Sequence, residues 1–350
     1  MPASKNVLVV SHGLDAVSRH TFEEVNKGRK FNVITAGPGE DEIGGMDAPP
    51  ITSKFSLQAI RAYRRLLKET DARICFSPST SGLSTLLFAS LGLKGVKVIG
   101  YRGTQAKVHR TDPFNWMALL NPRVDHVVCE TEDIRQYLAG RIGQRKVSMA
   151  CKPYKLEWAR EAMEKPVVVG DVADGALRLI TIGYFKNRPH KGLGVLIDAV
   201  ERLNARGIPV HLTVVGDSDQ ADVDRAPSNV RFEGHRSDAA HFLPSHDLYV
   251  LPSSRDASPR TLREAQACGV PCVVSDIPGA RDLIAPGVTG VLAESGNAES
   301  FADAIASLAA DRVRLAEMAG ACRPFIEENF NPDAYVSYFE NLFEKLSENS

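Results

Sequence analysis

The sequence predicts an α/β protein built from two doubly wound, parallel-sheet halves. Short apolar runs rich in Val and Ile alternate with helical segments along most of the chain, as in βαβ units. This alternation stops in a polar stretch around residues 155–177 and then restarts. The length of 350 residues also exceeds what one hydrophobic core usually serves. We therefore expect two domains, 1–168 and 169–330, and a last segment, 331–350, that packs back toward the first.

In the first half, five apolar runs are expected to form buried strands. Each is short, is rich in β-branched residues and is followed by a polar turn. They lie at 6–11, 31–35, 73–76, 96–100 and 124–129. Helices are expected over 56–69 and from Ser81 onward. The result is a parallel sheet with crossover helices.

In the second half, the same pattern predicts five more strands and three more helices. The strands lie at 177–183, 210–215, 230–232, 248–251 and 271–275, and the helices at about 191–206, 258–268 and 299–310. A last helix is expected over 332–347, where Asn331-Pro332 is a start signal. Its apolar residues recur at helical spacing, namely Val336, Phe339, Leu342 and Phe343.

The charge is divided unevenly along the chain. The formal net charge is −1, but residues 1–165 carry +8 and residues 166–350 carry −9. Within 51–110, eleven Lys or Arg stand against only Glu69 and Asp71. A basic half can face an anionic acceptor or an anionic membrane, although uneven surface charge can also be without function.

Residues 56–69 are expected to form an amphipathic and strongly basic helix. One stripe is apolar, with Leu57, Ile60, Leu66 and Leu67. The opposite side carries Arg61, Arg64, Arg65 and Lys68. Each cation near an anionic leaflet contributes about 1 kcal/mol, so this helix is expected to allow peripheral contact with an anionic membrane. The alternative is a solvated face that only keeps the protein soluble.

The sequence indicates a cytoplasmic protein. No apolar run reaches the ~18 residues of a membrane span, and the first apolar run is too short for a signal sequence. The six cysteines are scattered through apolar stretches without CxxC spacing. We interpret them as small core residues kept reduced, rather than as metal or redox sites.

The turn after the first strand excludes two nucleotide-binding classes. It reads Ser11-His12-Gly13 and lacks the GxGxxG pattern of dinucleotide-binding folds, and the chain has no GxxxxGK[ST] loop. A dehydrogenase and a P-loop NTPase are therefore not expected. Since open α/β sheets bind ligands at the carboxyl ends of their strands, these three residues are expected to line a cleft.

Asp217-Ser218-Asp219 follows a strand and suggests a metal site, because two carboxylates can hold Mg²⁺ or Mn²⁺ on a diphosphate. The alternative is a solvated turn. Asp222 and Asp224 come soon after, which is typical of an acidic loop. We therefore expect no metal here.

The densest signal runs from residue 251 to residue 284. A strand ends at Leu251, a loop carries Asp256, and a helix expected from Ser258 holds Glu264 in its early turns. The free amides and positive end of that helix suit a diphosphate. An ionised carboxylate has only acceptor sites, so Glu264 can bind two hydroxyls of a ribose. Together these features indicate a site for a nucleotide sugar.

This segment resembles the donor-binding motif of the family 4 retaining glycosyltransferases of GT-B fold. The motif has an acidic residue, seven further residues and a glutamate, matched by Asp256 and Glu264, and continues into Cys268-Gly269-Val270-Pro271. Asp256 replaces the usual glutamate, and Ala257 stands where glycine is common. The resemblance implies two Rossmann-like domains with a cleft between them and a C-terminal crossover helix.

The resemblance also implies a donor site around the first strand of the second half. Lys191 matches a family lysine that contacts the donor diphosphate, but Tyr184 stands where the family has an arginine. Lys186, Arg188 and Arg260 are the candidates for that second cation. The implied donor site comprises Gly183, Lys186, Arg188, Lys191, Gly234, Asp256, Ala257, Ser258, Pro259, Arg260, Thr261 and Glu264.

In the first half the resemblance is limited to the strand order. Tyr101-Arg102-Gly103 stands where many relatives have a histidine near the reacting sugar. Arg102 is a candidate to contact a leaving phosphate or an anionic acceptor, or else it is a surface arginine. The expected acceptor cleft comprises Ser11, His12, Gly13 and Arg102, and the expected catalytic residues are Lys191, Asp256, Glu264 and Arg102.

The resemblance implies a retaining glycosyltransferase that uses a nucleotide-diphosphate sugar, UDP-linked, and a cell-envelope saccharide or lipid-linked acceptor. No carboxylate pair for a double displacement is identifiable, so front-face attack without a metal or other cofactor is implied. Two alternatives remain: an inactive nucleotide-sugar-binding or scaffold protein, and a nucleotide-sugar epimerase of the same fold. Nucleic acid is not expected as a partner, because no recognition motif is present.

Overall fold

The computed structural model describes residues 5–38, 45–170 and 172–348. The strands are β1 (Lys5–Val10), β2 (Phe31–Gly37), β3 (Met46–Asp47), β4 (Ile74–Ser77), β5 (Lys97–Arg102), β6 (His126–Cys129), β7 (Val147–Met149), β8 (Leu177–Ile182), β9 (Val210–Val215), β10 (Val230–Gly234), β11 (Leu248–Leu251), β12 (Cys272–Ser275) and β13 (Gly290–Ala293). All belong to parallel sheets.

The helices are α1 (Ala16–Lys27), α2 (Leu57–Glu69), α3 (Thr80–Ala89), α4 (Pro113–Trp116), α5 (Glu132–Ile142), α6 (Leu156–Glu164), α7 (Leu193–Ala205), α8 (Gln220–Arg225), α9 (Arg260–Ala267), α10 (Pro278–Arg281), α11 (Ala298–Ala310), α12 (Arg312–Asn329) and α13 (Pro332–Glu348). Short 3₁₀ turns occupy Gln144–Lys146, Pro189–Lys191 and Ala239–Ser245.

The chain divides into two compact units. Unit 1 comprises Met1–Pro153 and Pro332–Ser350, and unit 2 comprises Tyr154–Asn331. The division falls before α6, earlier than the expected boundary at 168. The reason is that α6 packs on the 239–245 turn and on α9 of unit 2. The segment after α6 is also tied there, since Val167 N donates to His241 O at 2.8 Å.

Unit 1 contains a seven-stranded parallel sheet in the order β3-β2-β1-β4-β5-β6-β7. One face is covered by buried side chains of α2, α3 and α5. The other face is covered by α1 and α13, whose aromatic rings meet: Phe339 lies 5.2 Å from Phe22 and 5.6 Å from Phe76 between ring centroids. The C-terminal helix α13 therefore completes the core of unit 1. Residues 349–350 of the expected last segment lie outside the described residues.

Unit 2 contains a six-stranded parallel sheet in the order β10-β9-β8-β11-β12-β13. The strand order reverses next to β8, so the loops that follow β8, β9 and β11 emerge side by side at the carboxyl edge of the sheet. This reversal is the topological switch point at which open α/β sheets bind ligands. The predicted fold class, two doubly wound parallel sheets covered by helices, is confirmed.

Two further features of the described residues are relevant. No helix among them is both long and apolar enough to cross a membrane. Cys75, Cys129, Cys272 and Cys322 are buried in the cores. Burial raises the pKa of the Cys129 thiol and that of the Cys322 thiol to about 12, so both stay protonated at neutral pH.

Candidate functional site

The candidate site of unit 2 is made by three loops at the carboxyl ends of neighbouring strands. We call them the basic loop (residues 183–192, after β8), the β9–α8 loop (216–219) and the β11–α9 loop (252–259). Since β9, β8 and β11 are neighbours in the sheet, their carboxyl ends meet at one edge.

Main-chain hydrogen bonds fold the basic loop onto the β9–α8 loop. The amides of Phe185 and Lys186 both donate to the carbonyl of Asp217, each at 2.9 Å. The Phe185 side chain is buried and anchors the loop in the core of unit 2. The basic loop is therefore anchored through its backbone and Phe185, although several of its side chains are exposed.

Two glycines let the loops approach each other more closely than any side chain would permit. A Cβ atom on Gly216 would lie 1.7 Å from the carbonyl oxygen of Gly183, and one on Gly192 would lie 2.1 Å from that of Pro252. Both glycines have a positive φ, 129° and 74°. Any other residue at either position would push the loops apart.

An ion pair joins the basic loop to the β11–α9 loop. Lys191 Nζ lies 2.6 Å from Asp256 Oδ2, and the two side chains are 22% and 18% exposed. Next to this pair, the amide of Ser254 donates to the carbonyl of His190 at 2.8 Å. The structure thus brings together two predicted site residues that are 65 positions apart in the sequence.

The basic loop also presents exposed cations. Lys186 and Arg188 are exposed, and the Arg188 guanidinium carbon lies 4.9 Å from the centroid of the Tyr184 ring. Burial and the charges of Arg255, Lys191 and Arg188 lower the pKa of His190 below its usual value. The part of this lowering that comes from the three cations reflects their positive charge, which favours an anion at this edge.

Helix α9 begins at Arg260 with Pro259 at its N-cap, two residues later than the expected start at Ser258. Proline has no N–H, so the amides offered by the helix end belong to Arg260 and the residues that follow. Arg260 Nε lies 2.9 Å from Glu264 Oε1 one turn later. Glu264 is only 13% exposed, whereas Arg260 is 76% exposed, so a ligand hydroxyl can displace this surface contact.

The other predicted donor residues have varied surroundings. Ala257 lies between Asp256 and Ser258 in the β11–α9 loop. Gly234 ends β10 and accepts the amide of Gly216 at 2.7 Å. The Thr261 hydroxyl is hydrogen-bonded to the buried Tyr249 hydroxyl at 2.6 Å, so its contact is with the core. Gly183 lies against Gly216, where the basic loop and the β9–α8 loop approach each other closely.

The β9–α8 loop differs from the expected solvated turn. The Asp219 carboxylate accepts the amide of Asn187 from the basic loop, at 3.1 and 3.2 Å to its two oxygens. In the described part of the chain, no group of three or more His, Cys, Asp or Glu side chains is placed to hold a metal ion. The sequence analysis considers Asp219 only as a metal ligand or part of a solvated turn, whereas its contact with Asn187 makes it a candidate to hold the basic loop.

In unit 1, the predicted acceptor residues lie at the carboxyl edge of the sheet. Ser11 is buried directly after β1, His12 is exposed, and Gly13 packs near Pro78 of the turn after β4. Arg102 ends β5, and one of its guanidinium nitrogens donates to the carbonyl of Ala106. Burial lowers the pKa of the Arg102 guanidinium. The structure thus places Arg102 in a half-buried position rather than fully on the surface.

The same edge holds a polar cluster that sequence reasoning missed. Lys152 Nζ lies 2.6 Å from Asp15 Oδ2, 4.0 Å from Glu130 Oε2 and 4.6 Å from the centroid of the Tyr101 ring. Burial acts to raise the pKa of Asp15, but the hydrogen bond and charge of Lys152 outweigh it, and the pKa is lowered. The available signal was that all four residues lie near the ends of strands or in the loops that follow them.

Comparisons with known proteins support this architecture. Residues 176–311 match the family model "Glycosyl transferases group 1". The amylovoran biosynthesis glycosyltransferase AmsK of Erwinia amylovora is 26% identical over 226 residues, 59% of this chain and 55% of that protein. A UDP-Gal:α-D-GlcNAc-diphosphoundecaprenol α-1,3-galactosyltransferase of Escherichia coli is 34% identical over 110 residues, 31% of this chain and 28% of that protein.

Among solved structures, Anabaena HepE in complex with UDP superposes with a TM-score of 0.76 at 15% identity, covering 97% of this chain and all of that one. Such a likeness establishes the fold. The aligned region spans only about half of the Erwinia relative and less of the Escherichia one. The predicted resemblance to GT-B glycosyltransferases is confirmed for the fold and for the sequence of unit 2.

Proposed function

We propose that this chain, which has the GT-B fold and a glycosyl transferases group 1 region at residues 176–311, transfers a sugar from a UDP-sugar to an acceptor with retention of the anomeric configuration. The acceptor is a cell-envelope saccharide or a lipid-linked saccharide. The observation that carries the proposal is the Lys191–Asp256 pair held between the basic loop and the β11–α9 loop. It sets a cation against a carboxylate in the loop that leads into helix α9.

The donor is held by charges of both signs. The ε-ammonium of Lys191 has three N–H donors, so it can bind a diphosphate oxygen while it keeps its contact with Asp256. Lys186 and Arg188 add positive charge from the same loop. Glu264 accepts the ribose hydroxyls, and Asp256 accepts a hydroxyl of the donor sugar. Gly234, at the end of β10, lies toward the base.

The reaction breaks the bond between the anomeric carbon and the diphosphate oxygen and forms a bond from that carbon to the acceptor oxygen. Both electrons of the broken bond leave with the diphosphate. The acceptor oxygen attacks from the face that the diphosphate leaves, so the configuration is retained. The acceptor proton passes to the departing phosphate oxygen on that face. Lys191 stabilises the negative charge that develops on the leaving group.

No divalent metal is required in this proposal. Lys191, Lys186, Arg188 and the amides at the start of α9 neutralise the diphosphate, which is the role a metal would otherwise have. The polar edge of unit 1, with Arg102 and residues 11–13, is proposed to bind the acceptor.

We further propose that the protein works at the cytoplasmic face of a membrane, because the Escherichia relative is named for a lipid diphosphate acceptor. Three of the four cations of the basic helix α2 are exposed: Arg61, Arg65 and Lys68. The fourth, Arg64, donates instead to the carbonyls of Ala89 and Leu91 at 2.9 and 2.5 Å. The charge available for an anionic leaflet is therefore smaller than the sequence suggested.

The test is release of UDP from a panel of UDP-sugars, with and without saccharide acceptors, in EDTA. We expect slow hydrolysis of one donor, faster release with the right acceptor, and an anomeric proton in the product with the donor's configuration. Donor binding without any release would indicate an inactive binding protein. An epimerised nucleotide sugar formed without acceptor would indicate an epimerase instead.

A further inference from the structure

We propose that Asp219 is a positioning residue that holds the basic loop in the conformation that binds a diphosphate. This inference rests on the proposed function and extends it to a side chain that touches neither phosphate nor sugar. The juxtaposition behind it is the contact of the Asp219 carboxylate with the amide of Asn187, at 3.1 and 3.2 Å.

The Asp219 side chain is directed away from the helix that it precedes. It stands immediately before α8, where an aspartate ordinarily caps its own helix by accepting an amide two or three residues later. The Asp219 side chain makes no such bond to α8. Its acceptor capacity is directed instead to a loop 32 positions earlier in the chain.

The bond from Asn187 to Asp219 holds an unusual backbone conformation. Asn187 has a φ of 57°, the left-handed region that is unfavourable for residues other than glycine and least so for asparagine. Its neighbours on either side are the exposed cations Lys186 and Arg188. The two amides bonded to Asp217 O hold the start of this turn, the Arg188 amide closes it on Phe185 O at 2.9 Å, and the Asp219 carboxylate holds the Asn187 amide at its tip. Without that bond, the tip can relax and redirect both cations.

The negative charge of Asp219 distinguishes a positioning role from a purely electrostatic one. By charge alone, a carboxylate near a phosphate site weakens anion binding, so its removal should tighten it. A positioning role predicts the opposite result for Asp219→Ala. Asp219→Asn keeps an oxygen that can accept the Asn187 amide, so a positioning role predicts a milder effect there. A metal-ligand role predicts that EDTA reproduces the effect of Asp219→Ala.

The experiment measures two quantities on the full chain. One is hydrogen exchange of the Asn187 amide without ligand, and the other is UDP affinity by calorimetry, measured both with and without EDTA. The variants are Asp219→Ala, Asp219→Asn and, as a control with the same charge change, Asp224→Ala. Asp224 is exposed on α8, and its carboxylate accepts from Gln220 at 2.7 Å. Circular dichroism checks that each variant is folded.

We expect Asp219→Ala to speed exchange at Asn187 and to weaken UDP binding by about tenfold, the loss of one charge-assisted hydrogen bond. Asp219→Asn should lie between Asp219→Ala and wild type, and Asp224→Ala should match wild type. Unchanged or tighter UDP binding by Asp219→Ala would overturn the inference alone. EDTA weakening wild type to the level of Asp219→Ala would also overturn it. A wild-type protein that binds no UDP would instead overturn the proposed function together with this inference.

Discussion

The two units have the same sheet architecture but differ in how the charged side chains at their carboxyl edges are paired. In unit 2, backbone contacts hold the loops, and the cations Lys186 and Arg188 remain exposed. In unit 1, Lys152 lies between Asp15 and Glu130, and Arg102 donates to a main-chain carbonyl. Unit 2 therefore offers positive charge to a ligand, whereas in unit 1 internal contacts occupy much of the charge.

This difference explains why the sequence indicates the loops of unit 2 as a site but does not indicate the polar cluster of unit 1. Where glycines let loops touch backbone to backbone, the residues between them are constrained in type and spacing, as at Gly192 and Gly216. At the unit 1 edge, side chains from four strand ends meet, and many residue combinations would satisfy the same contacts. A donor common to many enzymes suits the first design, and an acceptor specific to each enzyme suits the second.

The largest expected effect comes from removing a cation of the unit 2 site. Lys191→Ala should lower the rate of UDP release by about 10- to 150-fold, because a charge-assisted hydrogen bond to the leaving group is worth about 1.5–3 kcal/mol. Single-turnover kinetics with the active donor checks this. Lys191→Arg, which keeps the charge, should retain more activity than Lys191→Ala, and equal losses in both variants would argue against a charge role.

The next effect concerns the basic face of unit 1. Neutralising Arg61 and Lys68 together should weaken binding to anionic vesicles by about tenfold, since each exposed cation contributes up to about 1 kcal/mol. Sedimentation with vesicles of graded anionic lipid content measures it, and added salt should reduce binding of the wild type. Arg64→Gln is compared with Arg61→Gln, which makes the same change of one charge, and it should change binding less because Arg64 is engaged with carbonyls. Equal binding to neutral and anionic vesicles would remove the membrane role.

Glu264→Gln should raise KM for the donor about fivefold with a smaller change in kcat. The amide keeps one acceptor oxygen, so about 1 kcal/mol of ribose binding is lost, the net value of one hydrogen bond. Steady-state kinetics over a range of donor concentrations separates the two constants. An equal fall in kcat at unchanged KM would place Glu264 at the reacting centre rather than at the ribose.

The smallest effect compares the stability of the units as pH falls. Burial lowers the pKa of His126 in unit 1 and that of His246 in unit 2 to about 4. Below the unfolded pKa near 6.5, the unfolded chain binds protons that the folded chain does not, so stability falls between about pH 6.5 and pH 4. Each histidine should cost about 1 kcal/mol at pH 5.5 relative to pH 7.

Urea unfolding of wild type, His126→Gln and His246→Gln at both pH values measures this loss. Each variant should lose less stability than wild type on acidification, whatever its stability at pH 7. A loss identical to that of wild type in both variants would show that other groups dominate the pH dependence.

Most of the sheet could be predicted from the sequence, because its strands are continuous buried apolar runs. Some unpredicted elements have a weak signal: β3 has two residues and β7 three, β13 reads Gly-Val-Leu-Ala, and α12 contains Pro324. The sequence analysis also does not predict α1, α5 and α6. The division before α6 differs from the expected boundary at 168 because α6 packs on unit 2, which the local sequence cannot reveal.

For the site, the motif indicates candidate residues but not how they contact each other. The Lys191–Asp256 pair forms because two loops that follow different strands meet, and the sequence does not show that these strands are neighbours. The contact of Asp219 with Asn187 is of the same kind. Local chemistry is readable from residue types, whereas contacts across the sheet edge depend on strand order.

The most direct test of the central claim, that the loops of unit 2 hold the donor diphosphate, is calorimetric titration of UDP in EDTA. The variants are Lys191→Ala in unit 2 and Lys68→Ala, which makes the same charge change on the exposed face of α2 in unit 1. We predict that UDP binds wild type and Lys68→Ala equally and binds Lys191→Ala about tenfold or more weakly. UDP binding that is absent from wild type, or unchanged in Lys191→Ala, would contradict the account.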